Sequence, residues 1–207
     1  MSADAPFEPA ELGPGLWRWT APHPNHDPHA APGSEGDWGP EVASALYLEG
    51  DSATFIDAQL PPDEAGFWTW ADARTAGASR VAALTTIGFH RRSRERIVER
   101  YDASTSRARD RLPAGVEAVA LRGAGEVAYW LPRPRALVVG DRLLGDDAGG
   151  LRLCPESWIS YLGDRLTLAR LRELLRPLLD LDPELILVSH GEPVLGGGRV
   201  ALARAIS

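Results

Sequence analysis

The chain has 207 residues, with 22 basic and 29 acidic side chains and a formal net charge of -7 at pH 7. A chain of this length can bury its own core, and we expect a single domain over residues 1–207. Nucleic acids and anionic membranes attract proteins through a continuous positive surface, so the acidic balance excludes both as expected partners. The sequence leaves the oligomeric state open.

The remaining composition is that expected of a folded protein of the cytoplasm. Hydrophobic residues make up 44% of the chain and charged residues 25%, far from the composition of a disordered chain. The single cysteine, Cys154, cannot form an internal disulfide, and residues 1–6 have neither the basic start nor the apolar stretch of a secretory signal. No apolar run approaches the roughly 20 residues that cross a bilayer. We therefore expect a soluble, cytoplasmic protein.

Hydrophobic periodicity predicts a mixture of strands and helices along the chain. Short alternating or continuous apolar runs predict strands over residues 15–20, 42–49, 53–58, 80–87, 115–121, 126–131, 135–139 and 184–189. Helical spacing and capping residues predict helices over about 61–76, after Ser93, near 155–158, around 168–175 and over 200–206. Hairpins come first and strand-helix units later, which predicts an α/β fold of mixed sheets in layers.

Residues 21–40 are predicted to form a long loop, because proline, glycine and histidine replace any apolar period there. Loops of about 20 residues inside a compact domain often serve in binding or as lids. The histidines His23, His26 and His29 recur every third residue, but the prolines between them prevent a helix that would put them on one face. We expect His23, which follows a strand, to reach a pocket, and Trp38 to line that pocket or a partner surface.

Polar side chains follow three of the predicted buried strands. His90 comes after the strand that contains Leu84, Asp141 follows Val139, and His190 follows the strand that starts at residue 184. In layered α/β folds, ligands bind outside the carboxyl ends of strands. The three side chains are therefore expected to converge on one site.

Five segments around these residues occur in a characteristic order. They are 55–58 (FIDA), 83–93 (ALTTIGFHRRS), 122–130 (RGAGEVAYW), 136–141 (ALVVGD) and 186–194 (ILVSHGEPV). From about Leu16 to the C-terminus this order resembles the metallo-β-lactamase superfamily. The resemblance implies a four-layer αββα sandwich of two mixed β-sheets flanked by helices. It also implies a structural Asp57, a metal-bridging Asp141, a last histidine ligand at His190, and one or two zinc or iron ions that activate water for hydrolysis.

The metal-binding turn of that family, His-x-His-x-Asp-His, is degenerate in this chain. Aligned without a gap, its four ligand positions hold Ile87, Phe89, Arg91 and Arg92. A shift by one residue puts His90 at the second histidine and leaves Gly88, Arg92 and Ser93 at the others. The family's next histidine ligand, at a strand start, corresponds to Arg122. His90, Asp141 and His190 therefore remain as candidate ligands, and three ligands can hold one zinc ion.

The sequence favours an eroded site without a metal. A cation would be repelled by the neighbouring arginines. A buried Asp141 also needs a partner, and an arginine fork would supply both charge and hydrogen-bond donors. The remaining guanidiniums would favour a small anion such as a carboxylate or a phosphate. The leading hypothesis is a pocket for a small anionic or aromatic ligand, formed by Arg91, Arg92, Arg122, His23 and Trp38.

Two alternatives stay open, and the sequence does not decide whether the chain is an enzyme. In the first, the protein is a hydrolase that uses one zinc, iron or manganese ion held by Asp141, His190 and His90, which are then its catalytic residues. In the second, it is a non-catalytic interaction protein that contacts its partner through loop 21–40 and Trp38. Fold alone cannot choose among them, because function belongs to the site.

Overall fold

The computed structural model describes residues 6–106, 111–146 and 148–207, so residues 1–5, considered above for a secretory signal, lie outside the described part. Its first sheet consists of β1 (Ala10–Gly13), β2 (Leu16–Pro22), β3 (Glu41–Glu49), β4 (Ser52–Ile56) and β5 (Arg80–Leu84). These strands lie side by side in chain order. Every pair is antiparallel except β4 and β5, which run parallel with Ile56 beside Leu84.

Two helices accompany the first sheet. Helix α1 (Glu64–Thr75) carries the chain from β4 back to the start of β5, the crossover that a parallel pair requires. Asp63 caps α1 by accepting a hydrogen bond from the backbone N–H of Gly66 at 2.9 Å. Helix α2 (Arg94–Tyr101) follows β5 and buries Ile97 against the sheet.

The second sheet begins with β6 (Glu117–Leu121), β7 (Glu126–Leu131) and β8 (Ala136–Val138). A separate antiparallel pair follows, β9 (Leu143–Gly145) with β10 (Leu151–Leu153). The chain then forms a 3-10 helix (Glu156–Arg165), α3 (Leu168–Leu175), a second 3-10 helix (Arg176–Leu181), β11 (Leu185–Leu187) and α4 (Gly198–Ala205). Strand β11 lies parallel to β8, so the sheet order is β11-β8-β7-β6.

Three clusters of buried apolar side chains separate four layers. One cluster lies between the sheets, where Ile56 and Leu84 of the first sheet pack with Val138 and Leu187 of the second. Another packs the first sheet against α1 and α2, and the third packs the second sheet against α3 and α4. The chain is therefore a four-layer αββα sandwich of two mixed sheets, and the predicted fold class is confirmed.

The observed elements differ from the predicted ones mainly where they are short. Strands β1, β9 and β10 have only three or four residues each and are absent from the predictions, because such short runs carry too little alternation to be recognised. The predicted strand over 80–87 ends at Leu84, and the helix predicted near 155–158 is a 3-10 helix. Among the described residues, no helix is both long and apolar enough to cross a membrane.

Candidate functional site

The carboxyl ends of four strands meet at one edge of the sandwich. Asp57 directly follows β4, and His90 lies in the turn between β5 and α2. Asp141 and His190 follow β8 and β11 of the other sheet. Because each of the pairs β4 with β5 and β8 with β11 is parallel, its carboxyl ends share one edge. A backbone hydrogen bond of 2.9 Å from β3 to the carbonyl of Ser189 joins the two sheets at this edge.

Asp57 is a buried carboxylate that organises the turn. Its Oδ1 accepts a hydrogen bond of 2.8 Å from the backbone N–H of Thr86, and its Oδ2 accepts one of 2.5 Å from the Thr86 hydroxyl. Oδ2 also lies 2.9 Å from Nδ1 of His90. Burial opposes ionisation of Asp57, but His90 and the nearby charge of Arg92 hold its pKa below the usual value. Asp57 is therefore an anion, and it holds the His90 ring in place.

His90 and His190 converge on Asp141. Nε2 of His90 lies 2.9 Å from Oδ1 of Asp141, and Nε2 of His190 lies 3.4 Å from the same oxygen. All three side chains are buried, and their three candidate ligand atoms lie within 4.8 Å of one another. Neither contact has hydrogen-bond geometry, so Oδ1 of Asp141 is a buried oxygen without a hydrogen-bond partner among the described residues.

The charges in this cluster shift its pKa values in opposite directions. Burial lowers the pKa of His90, but Asp141 and Asp57 raise it to about 9. Burial would raise the pKa of Asp141, but His90 and His190 hold it well below its usual range. Without a further ion, His90 is thus an imidazolium held between two carboxylates at neutral pH.

The remaining ring nitrogens show where the imidazole protons lie. Nδ1 of His190 is 2.8 Å from the carbonyl oxygen of Trp38, which can only accept, so this Nδ1 is protonated. Nδ1 of His90 likewise donates to the Asp57 carboxylate. In their neutral forms both rings then present an unprotonated Nε2 to Asp141. Imidazoles that bind metals in proteins are commonly held in this way through their second nitrogen.

The donor set fits a single metal ion. Two imidazole nitrogens and one carboxylate oxygen are ligands that zinc accepts, and three protein ligands leave one position open. Neighbouring ligands of a tetrahedral zinc ion lie roughly 3.4 Å apart, close to the 2.9 and 3.4 Å contacts of Asp141. The orphaned Oδ1 of Asp141 is the atom such an ion would satisfy. The residues therefore fit a one-metal site, and no second cluster of this kind occurs among the described residues.

The cluster opens into a cavity of about 340 Å³ whose walls include the aromatic side chains of Trp38, Phe89, Trp158 and Tyr161. Its lining side chains are His23, Pro24, Asn25, Glu35, Trp38, Ile87, Phe89, His90, Arg92, Asp141, Arg142, Trp158, Tyr161 and His190. Two positions where the resembling family has metal ligands, Ile87 and Phe89, contribute apolar wall here. A cavity of this volume suits a small molecule.

Loop 23–40 forms one wall of the cavity and is held by hydrogen bonds from the 3-10 helix Glu156–Arg165. The hydroxyl of Ser157 donates to the carbonyl of Gly33 at 2.6 Å, and the indole of Trp158 donates to that of Ser34 at 3.0 Å. Trp38 packs on Trp158 with ring centres 4.8 Å apart. The loop is thus held where its Trp38 carbonyl contacts His190.

Arg92 approaches the site from an uncommon backbone conformation. Its backbone φ of 40° lies in the left-handed region, which residues other than glycine rarely adopt. Nη1 donates to the carbonyls of Ala43 at 2.7 Å and Asp57 at 2.9 Å, which ties β3 to the end of β4. Nη2 is buried without a hydrogen-bond partner among the described residues. Burial lowers the pKa of Arg92, and the carboxylates of Asp57 and Asp141 oppose that shift.

Arg142 is the other guanidinium of the cavity, and sequence reasoning missed it. Its side chain is almost completely buried, with Nε donating to the carbonyl of Ala124 at 2.8 Å and Nη2 donating to the hydroxyl of Tyr161 at 2.6 Å. Glu126 accepts hydrogen bonds from the backbone of Gly140 and Arg142. Burial raises the pKa of Glu126 to about 7, and the nearby Asp141 adds to the shift. The only sequence signal for Arg142 was its position directly after Asp141.

The structure brings most of the sequence-predicted site residues together. His90, Asp141, His190, His23, Trp38 and Arg92 all line the cavity. Arg91 and Arg122 are exposed and are not among its lining residues. His26 and His29 are exposed in the loop, as expected.

One expectation about Asp141 is corrected. The predicted ion pair between this carboxylate and an arginine is not observed, because no guanidinium of a described residue lies within ion-pair distance of it. The two imidazoles occupy that place, and Arg92 donates instead to backbone carbonyls.

No protein-family model matches the sequence, and no curated protein matches it either. Solved structures that are similar to this chain were found. A mono-zinc form of an NDM/FIM-1-like metallo-β-lactamase from Erythrobacter litoralis is 18% identical, with a TM-score of 0.63 over 96% of this chain and 94% of that one. A mono-zinc form of the metallo-β-lactamase FIM-1 from Pseudomonas aeruginosa is 13% identical, with a TM-score of 0.61 over 99% and 96%.

Another metallo-β-lactamase structure from Erythrobacter litoralis is 17% identical, with a TM-score of 0.62 over 96% of this chain and 89% of that one. At such low identities the likeness shows the fold alone. The chain therefore has the metallo-β-lactamase fold.

Proposed function

We propose that this chain, which has the metallo-β-lactamase fold, is a hydrolase that uses one metal ion held by His90, Asp141 and His190. One observation carries the proposal. Oδ1 of Asp141 is buried without a hydrogen bond between two imidazole Nε2 atoms, while the Nδ1 atoms of both rings donate to other acceptors. A cation at this point would satisfy all three buried atoms at once.

The surrounding residues have separate tasks in such a site. An ion with an open position lowers the pKa of a bound water, so that a nucleophile is present at neutral pH. Asp57 and the Trp38 carbonyl hold the two imidazoles in place. Asp141 would also help to orient the attacking water. Trp38 and Trp158 exclude bulk water from one side of the cavity.

A single ion is compatible with this fold. Two of the structural neighbours are described in a mono-zinc form. In the present chain the turn offers His90 alone as a ligand, since Ile87 and Phe89 are apolar and the guanidinium of Arg92 cannot bind a metal.

A second candidate function is a metal-free pocket for a small anionic or aromatic ligand. Its support is the position of His90 between the carboxylates of Asp57 and Asp141, each 2.9 Å from a ring nitrogen. An imidazolium there neutralises part of the negative charge that a metal ion would otherwise neutralise. The nearby guanidiniums of Arg92 and Arg142 then leave the cavity attractive to an anion.

Metal titration of the full chain separates the two candidates. The protein is stripped with a chelator and titrated with zinc, iron(II) or manganese in a calorimeter. The one-metal hydrolase binds one ion per chain, and His190→Ala weakens binding at least 100-fold, whereas His26→Ala, which changes an exposed histidine of the loop, leaves it unchanged. Binding only to the folded state also raises the midpoint of thermal unfolding. If none of the metals binds at a defined stoichiometry, the metal-free pocket is the better explanation.

Activity is tested on the same preparations. Chromogenic carboxylic esters, thioesters, lactones and phosphodiesters are offered to the loaded and the stripped protein. We expect hydrolysis of one class that requires the metal and is lost in Asp141→Asn. Metal binding without metal-dependent hydrolysis of any class would restrict the site to a structural role.

A further inference from the structure

We infer that His23 is a fixed hydrogen-bond donor which, through its Nε2–H, holds an oxygen of the substrate at the mouth of the metal site. This inference rests on the proposed function and names the chemistry of its substrate, a small compound with an oxyanion next to a planar group. No proton moves to or from His23 in this role. The ring only binds and positions the substrate oxygen.

The tautomer of His23 follows from its neighbour in the loop. The backbone N–H of Asn25 donates to Nδ1 of His23 at 3.0 Å. A backbone N–H can only donate, so Nδ1 is the unprotonated nitrogen and the proton of the neutral ring is on Nε2. His23 thus has the opposite tautomer to His190, whose Nδ1 donates to the Trp38 carbonyl.

The ring is held in place over the site by stacking. Its plane lies 6° from that of Trp38 with ring centres 6.0 Å apart, and its centre is 5.6 Å from that of His190. The side chain lines the cavity together with His90 and Asp141. No hydrogen bond from Nε2 to a described residue is observed, and the atom is not buried. Its N–H is therefore free to meet a ligand in the cavity.

The same tautomer disfavours His23 as a further metal ligand, and His23 is not part of the cluster of candidate ligand atoms. Binding a metal through Nε2 would require the proton to move to Nδ1, which would break the hydrogen bond from Asn25. The ligand set then stays at His90, Asp141 and His190, and the open position is kept. An N–H donor beside the free coordination position of the metal ion would stabilise a substrate oxygen that carries or gains negative charge.

The cavity walls define the rest of the ligand. Trp38 and Trp158 form one aromatic wall of the cavity. Phe89 and Tyr161 also line it, and their rings pack edge to face with centres 5.6 Å apart. Arg92 also lines the cavity, and its positive charge favours a negatively charged ligand. Phenylphosphonate combines a planar ring with a tetrahedral oxyanion and is therefore the probe that we would use.

Nitrogen NMR of the full, metal-free chain tests the tautomer directly. With ¹⁵N-labelled histidine, the signals that disappear in His23→Gln belong to His23. We expect Nε2 to carry the proton and Nδ1 to be unprotonated. A protonated Nδ1 at His23 would overturn the inference.

Calorimetry with phenylphosphonate tests the donor role in the same metal-free protein. His23→Leu is expected to weaken binding about tenfold or more, because a hydrogen bond to a charged oxygen is lost. His23→Gln keeps an N–H donor and is expected to stay within about threefold of the unchanged chain. His26→Leu, in the exposed part of the loop, is the matched control. Equal binding by the His23→Leu and His26→Leu variants would overturn the donor role.

The tests of His23 can be told apart from the test of the metal proposal. If zinc does not bind, the one-metal hydrolase fails while the phosphonate and NMR results still decide the role of His23. If zinc binds and the phosphonate results fail, only the inference about His23 is lost. His23→Leu should bind zinc with unchanged stoichiometry, since His23 is not a ligand. Loss of zinc from this variant would contradict its assignment as a donor.

Discussion

Nε2 of His90 lies 2.9 Å from Oδ1 of Asp141, yet this buried oxygen accepts no well-directed hydrogen bond from a described residue. Leaving a buried polar atom unsatisfied costs about 1–3 kcal/mol, and more for a charged group. A cation between Asp141 and the imidazoles removes that cost. A metal ion held by all three side chains would do so directly.

Asp57→Asn is expected to weaken zinc binding by about 10- to 100-fold. The carboxylate holds Nδ1 of His90 at 2.9 Å and so orients its Nε2 toward the ion. Zinc affinity, measured by competition with a chelator, is the readout. Asp180→Asn changes an exposed aspartate and serves as the control. An unchanged zinc affinity in Asp57→Asn would show that His90 needs no such support.

Zinc affinity is expected to increase with pH. In the metal-free protein the pKa of His90 is raised to about 9, chiefly by Asp141 and Asp57 against the effect of burial. Zinc must displace this proton from Nε2, so its affinity should rise about tenfold per pH unit between pH 7 and 9 and then level off. Chelator competition at half-unit steps measures the slope. A slope of zero over this range would contradict the assignment of His90 as a ligand.

The metal-free protein is expected to lose stability as the pH rises. A histidine whose pKa is raised from 6.5 to about 9 stabilises the fold fully below pH 6.5, and the contribution is lost as the pH rises through 9. The loss should be about 3 kcal/mol. Urea unfolding at pH 6, 8 and 10 measures it, with His90→Gln as the comparison. Equal pH dependence in both proteins would assign the loss to other groups.

Trp158→Phe is expected to loosen loop 23–40. The substitution removes the indole N–H that donates to the carbonyl of Ser34 at 3.0 Å, a bond worth about 0.5–1.5 kcal/mol. Hydrogen exchange of residues 33–38 should become roughly threefold to tenfold faster. Trp68→Phe, on helix α1, should not change exchange in the loop. Unchanged exchange in Trp158→Phe would mean that other contacts hold the loop.

Arg142→Met is expected to destabilise the fold by about 3 kcal/mol or more. The substitution removes the positive charge of Arg142 that favours ionisation of the buried Glu126, and it leaves the Ala124 carbonyl without its donor. Urea unfolding provides the measurement, and the exposed Arg204→Met is the matched control. A loss no larger than that of the control would contradict a structural role for the buried guanidinium.

The strand ends could be predicted from the sequence because their signals are local. Buried apolar runs that end in His90, Asp141 and His190 reveal both the strands and the polar groups that follow them. Parallel pairing then brings these ends to one edge. The layered α/β class with mixed sheets followed from the same pattern, and the resemblance to a known family added the four-layer αββα arrangement and the structural role of Asp57.

The contacts that complete the site could not be predicted, because they join distant parts of the chain. The Trp38 carbonyl meets His190 across 152 positions, and Ser157 meets the carbonyl of Gly33 across 124. No local pattern encodes such pairs. The burial of Arg142 depends on the hydroxyl of Tyr161 and the carbonyl of Ala124, which only the packed structure brings to it.

The location of a bound zinc ion tests the one-metal site most directly. Crystals of the full chain grown with one equivalent of zinc are measured on both sides of the zinc absorption edge. We predict one anomalous peak within bonding distance of Nε2 of His90, Oδ1 of Asp141 and Nε2 of His190. A structure with no peak there, and with a hydrogen bond between His90 and Asp141 in its place, would contradict the one-metal hydrolase.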